Sequence, residues 1–167
     1  PEIDGLRAIA VIAVIFYHAE FYFNKNFLFP GGFLGVDIFF VISGYLITNI
    51  LYNEFNITKS ISIKNFYERR AKRILPALFF LILVLTIISV FVLPPITQVT
   101  FAKSALSSIF FVSNFFFFQN NDDYFLDSTD QMQLLHTWSL SVEEQFYLFF
   151  PIILLLLLRK NNKLIFY

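Results

Sequence analysis

The chain has 167 residues, of which 57% are hydrophobic and only 14% charged, with 25 phenylalanines; this is too apolar for one water-soluble domain with a solvated surface, and it reads as a membrane protein. A formal net charge of zero says nothing about partners in bulk, so recognition must be read from local patterning; no nucleic-acid partner is expected. The absence of cysteine excludes disulfides and thiolate chemistry, so an acyl-enzyme would need another nucleophile.

A membrane-crossing helix needs roughly 20 mainly apolar residues. Five stretches approach that, at 8–23, 33–52, 75–93, 101–118 and 145–158, the last only when 137–144 is included. The expected fold is all-α, a polytopic transmembrane helix bundle of four to five membrane helices. Segment one runs from Leu6 to about Phe23 with no small-residue cleavage site after it, so it reads as a retained helix rather than a signal peptide. The polar turn Asn24-Lys25-Asn26 and the breakers Pro30-Gly31-Gly32 separate it from segment two.

Residues 53–74 are polar and carry six of the twelve Lys and Arg between Lys59 and Arg73, which marks a cytoplasmic basic loop. Within it Phe66-Tyr67 suggests a short amphipathic helix at the lipid surface. Pro76 is expected in the first turn of segment three, where its missing N–H costs little, and Pro94-Pro95 ends that segment. With the basic loop inside, segment one runs outward, two inward and three outward. If 101–118 also crossed, the acidic loop 119–136, with four Asp and no Lys or Arg, would be cytoplasmic and Arg159, Lys160 and Lys163 external, both against the positive-inside bias. The simpler solution makes 101–118 re-entrant or interfacial, leaves 119–136 external and sends the last helix inward. The chain opens on Pro rather than Met and stops soon after a basic stretch, so it reads as part of something longer.

Four constellations interrupt the apolar pattern. Arg7 and His18 are eleven residues apart, so they share one helix face with a rise of about 16 Å. They suit either membrane-edge anchors or groups facing a bundle interior, and His18 is the one side chain on that helix titrating near neutrality. Asp37 sits among apolar residues and needs a partner: a backbone carbonyl for its neutral form, or His18 from the antiparallel neighbour. The following Ser43-Gly44-Tyr45 suits close helix packing through Gly44 as well as a site.

The cluster Arg69, Arg70, Lys72 and Arg73 reads as a topology signal or headgroup contact, or as a site for a polyanionic ligand. Finally, His136, Ser139 and Glu143 form one helical stripe, and Thr137, Ser141 and Glu144 a second beside it. A capping box at Ser141 would explain part of this but neither His136 nor Trp138.

Taken together, Leu6-Arg7-Ala8 with His18, the run from Gly32 to Ile47, Phe66-Tyr67-x-Arg69-Arg70-x-x-Arg73-Ile74-x-Pro76, and His136-Thr137-Trp138-Ser139-Leu140-Ser141-Val142-Glu143-Glu144-Gln145-Phe146-Tyr147 resemble the membrane-bound acyltransferase 3 family of bacterial O-acetylases. The resemblance implies a partial copy of a bundle of about ten helices, with residues 1–167 as one integral-membrane acyltransferase 3 domain truncated at its C-terminal side. It also implies transfer of an acyl group, usually acetyl, from cytoplasmic acyl-CoA to a hydroxyl of a cell-envelope glycan or other exported acceptor, at the bacterial cytoplasmic membrane. Acyl-CoA is then a donor substrate rather than a resident cofactor, membrane lipid is the surrounding partner, and no metal is expected.

The Arg-x10-His pattern carries over to Arg7 and His18, Arg-x-x-Arg to Arg70 and Arg73, and Ser-Gly-aromatic to Ser43, Gly44 and Tyr45. On this reading His18, oriented by Asp37 or Glu143, is the general base toward the acceptor hydroxyl, a role that typically contributes about 10²–10⁴-fold; an acyl-His18 intermediate is the alternative. Arg7, Arg70 and Arg73 handle acyl-CoA, and Ser43, Gly44, Tyr45, His136, Trp138, Ser139, Ser141 and Glu144 line the site. Two rivals are a transporter or flippase, which would be expected to show matched inverted halves that are not visible here, and an inactive membrane scaffold.

Overall fold

A computed structural model describes residues 2–19, 21–23, 26–27, 29–119 and 133–160. Its contacts divide the chain into two units, Pro1–Ser60 and Ile61–Tyr167. As the composition demands, the architecture is helical, interrupted among the described residues only by a two-residue antiparallel pairing of Tyr22–Phe23 with Asn26–Phe27.

The first unit consists of helices α1 (Glu2–His18) and α2 (Leu34–Thr58) with the short strands β1 (Tyr22–Phe23) and β2 (Asn26–Phe27) between them. Glycine sets the distance between the helices. A Cβ at Gly32 would lie 2.3 Å from the Ala13 carbonyl oxygen, and one at Gly35 would lie 2.5 Å from that of Ala10. Contacts this short hold backbones closer than any side chain permits, and in a membrane, where lipid is as apolar as leucine, such van der Waals packing is a main source of helix association. The expectation that Gly44 serves close approach is corrected, since a Cβ there would meet nothing within 4 Å. Gly32 and Gly35, read from sequence as a loop breaker and a motif member, perform that role. Lys59 ends α2 in the left-handed conformation (φ 55°), its N–H donating to the Phe55 carbonyl.

The second unit contains α3 (Ile63–Val92), α4 (Pro95–Ile109), α5 (Ser113–Gln119) and α6 (Thr137–Lys160). Residues 53–74 are not a loop: α2 runs through Thr58 and α3 begins at Ile63, leaving only a short link. The segment from Glu68 to Arg73 consists of good helix formers, and Lys72 Nζ pairs with Glu68 Oε1 at 2.6 Å one turn away. Pro76 is consequently inside α3 rather than in its first turn. It removes the donor that would have met the Lys72 carbonyl. The helix continues because it is held on both sides of the proline, by buried Phe66 before it and buried Leu78 and Ile82 after it.

Segment 101–118 is not one helix. It breaks at Phe110–Val112, where Phe111 takes a positive φ of 53°. Contacts with α6 give the directions of the two pieces. Ser108 on α4 meets Thr137, and the Phe111 carbonyl meets Gln145 further along α6; Ser113 on α5 then meets Ser141 and Thr137 again. The chain therefore descends along α6, turns at Phe110–Val112 and climbs back. Leu78, Ile82, Phe101, Ala105, Phe117 and Leu134 form the core behind this hairpin. The acidic segment expected at 119–136 falls largely outside the described residues, which resume at Gln133.

Among the described residues three helices are long and apolar enough to cross a membrane: α2, α3 and Thr137–Arg159 of α6, the last including 137–144 as expected. Large apolar side chains point outward along them, Phe80 at 70% and Phe91 at 84% exposure among them, a surface suited to lipid or further helices rather than to water.

Candidate functional site

In the second unit, one face of α3 is set against α6 by paired aromatic and charged groups. Tyr67, Arg70 and Ile74 fall at i, i+3 and i+7, so they share a face. Tyr67 Oη donates to the Leu148 carbonyl at 2.6 Å. Three residues on, the Arg70 guanidinium lies 4.5 Å from the centre of the Tyr147 ring and 5.7 Å from that of Phe66. Both rings are 3% exposed, and a cation over a largely desolvated ring is stabilised by ~1–2 kcal/mol. Tyr147 Oη donates in turn to Glu143 Oε1, one helical turn before it. A short relay of contacts thus links Glu143 to Arg70 through the tyrosine.

Arg70, Tyr67, Glu144 and Tyr147 line a cavity of about 610 Å³ whose other walls are mainly apolar, including Ile74, Phe110, Phe111, Val112, Phe115 and Phe149. The volume lies within the range of sites for small molecules and cofactors. Glu144 Oε1 is shielded from solvent and has no hydrogen-bond partner among the described residues. The charges acting on Glu144 are those of Glu143 and Arg70.

Arg73 does not share this cavity. It lines a second one of about 330 Å³, with His136, Thr137 and Leu140 from the start of α6 and Ile74, Ala77, Leu78 and Leu81 from α3. Ile74 is common to both, so the two arginines of the Arg-x-x-Arg spacing stand over adjoining spaces. Ser139 Oγ donates to the His136 carbonyl at 3.1 Å, and Trp138 is partly exposed beside it.

The second polar stripe of α6 has a largely structural task. Ser113 and Ser141 hydroxyls are 2.6 Å apart, the Ser113 N–H donates to Ser141 Oγ at 3.2 Å, and Ser113 Oγ donates to the Thr137 carbonyl at 2.9 Å. Ser108 and Thr137 hydroxyls meet at 2.8 Å. Gln145 Nε2 donates to the Phe111 carbonyl at 2.7 Å and to Asn114 Oδ1 at 3.0 Å. These bonds hold the α4–α5 hairpin on α6 and keep its tip, Phe110–Val112, in the wall of the larger cavity. Ser141 is a turn inside α6, which disposes of the capping-box account.

The remaining sequence-derived residues belong to the first unit. His18 is the last residue of α1 and its Nδ1 donates to the Val14 carbonyl at 2.9 Å. A neutral imidazole protonated at Nδ1 leaves Nε2 as its basic atom. Asp37 is exposed near the start of α2, and among the described residues no hydrogen bond or ion pair joins it to His18. The expected orientation of His18 by Asp37 is replaced by a bond within α1 itself. Arg7 Nη1 stands 4.0 Å from Asp4 Oδ1 one turn earlier. Ser43, Gly44 and Tyr45 lie mid-way along α2, with Tyr45 59% exposed.

Tyr67, Gln145 and Tyr147 fall inside the motifs quoted from the sequence, but sequence reasoning gives them no role in the site. The available signal was spacing: Tyr67 stands three residues before Arg70, and Tyr147 four after Glu143.

A helical, largely apolar chain with arginine, carboxylate and tyrosine gathered over one cavity defines a membrane protein of the helical class. The chain belongs to the acyltransferase domain family, whose model matches residues 1–167. It is 48% identical over 151 residues to the peptidoglycan O-acetyltransferase OatA of Listeria monocytogenes, covering 90% of this chain and 23% of that protein. It is 46% identical over 153 residues to the O-acetyltransferase OatA of Staphylococcus aureus, covering 91% and 24% respectively. The chain thus spans about a quarter of the length of these relatives. No solved structure matches it.

Proposed function

We propose that the chain forms the donor-binding part of an integral-membrane O-acyltransferase that moves an acetyl group from acyl-CoA to a hydroxyl of a cell-envelope glycan. The observation that carries this reading is the 610 Å³ cavity in which Arg70 and Glu144 converge among apolar walls, in a chain belonging to an acyltransferase family. Guanidinium forks suit the phosphates of CoA. The apolar lining suits the rest of an acyl donor, and the name of the Listeria relative supports a glycan acceptor.

In the reaction, His18 Nε2 takes the proton of the acceptor hydroxyl as its oxygen attacks the acyl carbonyl. The thioester C–S bond then breaks and CoA leaves as the thiolate. Arg70 and Arg73 hold the donor at the cytoplasmic face, and the α4–α5 hairpin is re-entrant, which keeps the acidic segment after it outside and directs α6 inward in accord with the positive-inside bias.

The test is incubation of membranes containing the full-length protein with radiolabelled acetyl-CoA, followed by extraction of the envelope glycan. His18→Ala is expected to lower label transfer by about 10²–10⁴-fold. Undiminished transfer by that variant overturns the assignment of His18, and label that never reaches glycan from the wild-type protein overturns the reaction.

A further inference from the structure

Glu144 is the group in the larger cavity that the proposed reaction leaves without a task. The cavity has mainly apolar walls, yet one carboxylate oxygen, Glu144 Oε1, is withdrawn from water with no donor to meet it among the described residues. A buried acceptor left in this state is costly, and the cost is removed by a ligand that brings a donor. Rotation about the terminal torsion of a glutamate meets no steep staggered barrier, so either carboxylate oxygen can turn toward a bound group. Arg70, which lines the same cavity, is held by the rings of Tyr147 and Phe66.

The ligand must therefore present three things: an aliphatic body for the walls, an N–H or O–H for Glu144, and an anionic group within reach of Arg70. A sugar meets this poorly, because its many hydroxyls would face phenylalanine and isoleucine unpaired. The pantetheine arm of an acyl-CoA meets it well, being an aliphatic chain with amide N–H groups that ends in phosphates.

Resting on the acyl-CoA reading above, we propose that Glu144 is a specificity-determining residue that accepts a hydrogen bond from an amide N–H of the pantetheine arm, so that the larger cavity selects the arm of the donor rather than its nucleotide.

The experiment compares acetyl-CoA with adenosine 3′,5′-bisphosphate, which carries the nucleotide phosphates and no arm, as ligands for the full-length protein in membranes. Binding is measured for wild type, Glu144→Leu and Glu144→Gln. Glu144→Leu is expected to weaken acetyl-CoA about tenfold, the loss that accompanies removal of one hydrogen bond to a buried charged group, while leaving the bisphosphate unchanged. Glu144→Gln, which retains an acceptor oxygen, is expected to keep acetyl-CoA within about threefold of wild type, a margin smaller than one hydrogen bond.

Unchanged acetyl-CoA affinity in Glu144→Leu overturns the proposal alone and leaves the acyl-CoA reading standing. Equal loss of both ligands in Glu144→Leu also overturns it, by showing a structural effect. Failure of the wild-type protein to bind acetyl-CoA overturns the donor reading and this proposal with it.

Discussion

Replacing Gly35 by alanine tests whether the close approach of α1 and α2 organises the first unit. The new Cβ would stand 2.5 Å from the Ala10 carbonyl oxygen and 2.7 Å from Val14 Cγ2, where contacts under 3.0 Å are essentially never formed. The valine methyl can turn aside, but the carbonyl is part of α1 and yields only if the helices move apart. Gly35 has no positive φ, so no backbone strain enters and the effect is steric. Overpacking of this kind costs about 1–3 kcal/mol. Taking about 2 kcal/mol, the Tm of a protein of this size falls by roughly 4–8 °C. Gly44→Ala is the internal control, since its Cβ meets nothing within 4 Å and alanine gains up to about 1 kcal/mol of helix propensity. The assay is thermal unfolding of both variants in the same detergent, read by intrinsic fluorescence and by loss of monodisperse protein. Equal melting of Gly35→Ala and Gly44→Ala would refute the argument.

Adjacent serines of one motif are expected to behave differently. Ser141→Ala leaves the buried Ser113 N–H without its acceptor and lowers stability by about 1–3 kcal/mol, whereas Ser139→Ala, whose hydroxyl donates to the His136 carbonyl in the preceding turn, changes it by less than about 0.5 kcal/mol; thermal melts of the two variants check this. Tyr147→Leu removes the ring beneath Arg70 and is expected to weaken acetyl-CoA binding by roughly 3- to 30-fold, the equivalent of a desolvated cation–π contact. Tyr147→Phe, which keeps the ring, retains most of that affinity in the same binding assay. Lys59→Gly relieves the left-handed backbone at the end of α2 and is expected to stabilise by about 0.5–1 kcal/mol, seen as a small rise in Tm.

Much of the architecture is legible in the chain because its cause is local. Runs such as 33–52 and 145–158 are too apolar to be anything but membrane-compatible helices, and Pro94-Pro95 can only separate two elements. The break in 101–118 was half legible: charge on either side opposed a single crossing, but nothing in the apolar run located the turn at Phe111. Residues 53–74 were misread for the opposite reason. Their charge resembled a solvated loop and Pro76 resembled a helix start, whereas packing of Phe66 on one side of the proline and Leu78 on the other carries one helix through both.

The site divides along the same line. Sequence by itself determined that the chain is a helical membrane protein, that Arg70, Arg73, His136 and Glu144 are candidate functional groups, and which family they resemble, because residue type and spacing along one helix suffice for each. Only the tertiary structure decided that Arg70 and Arg73 line different cavities, that Ser141 braces a hairpin while Glu144 lines a cavity, and that Gly32 and Gly35 rather than Gly44 bring two helices together. Those distinctions depend on what lies across from a side chain, and residues far apart in sequence supply it.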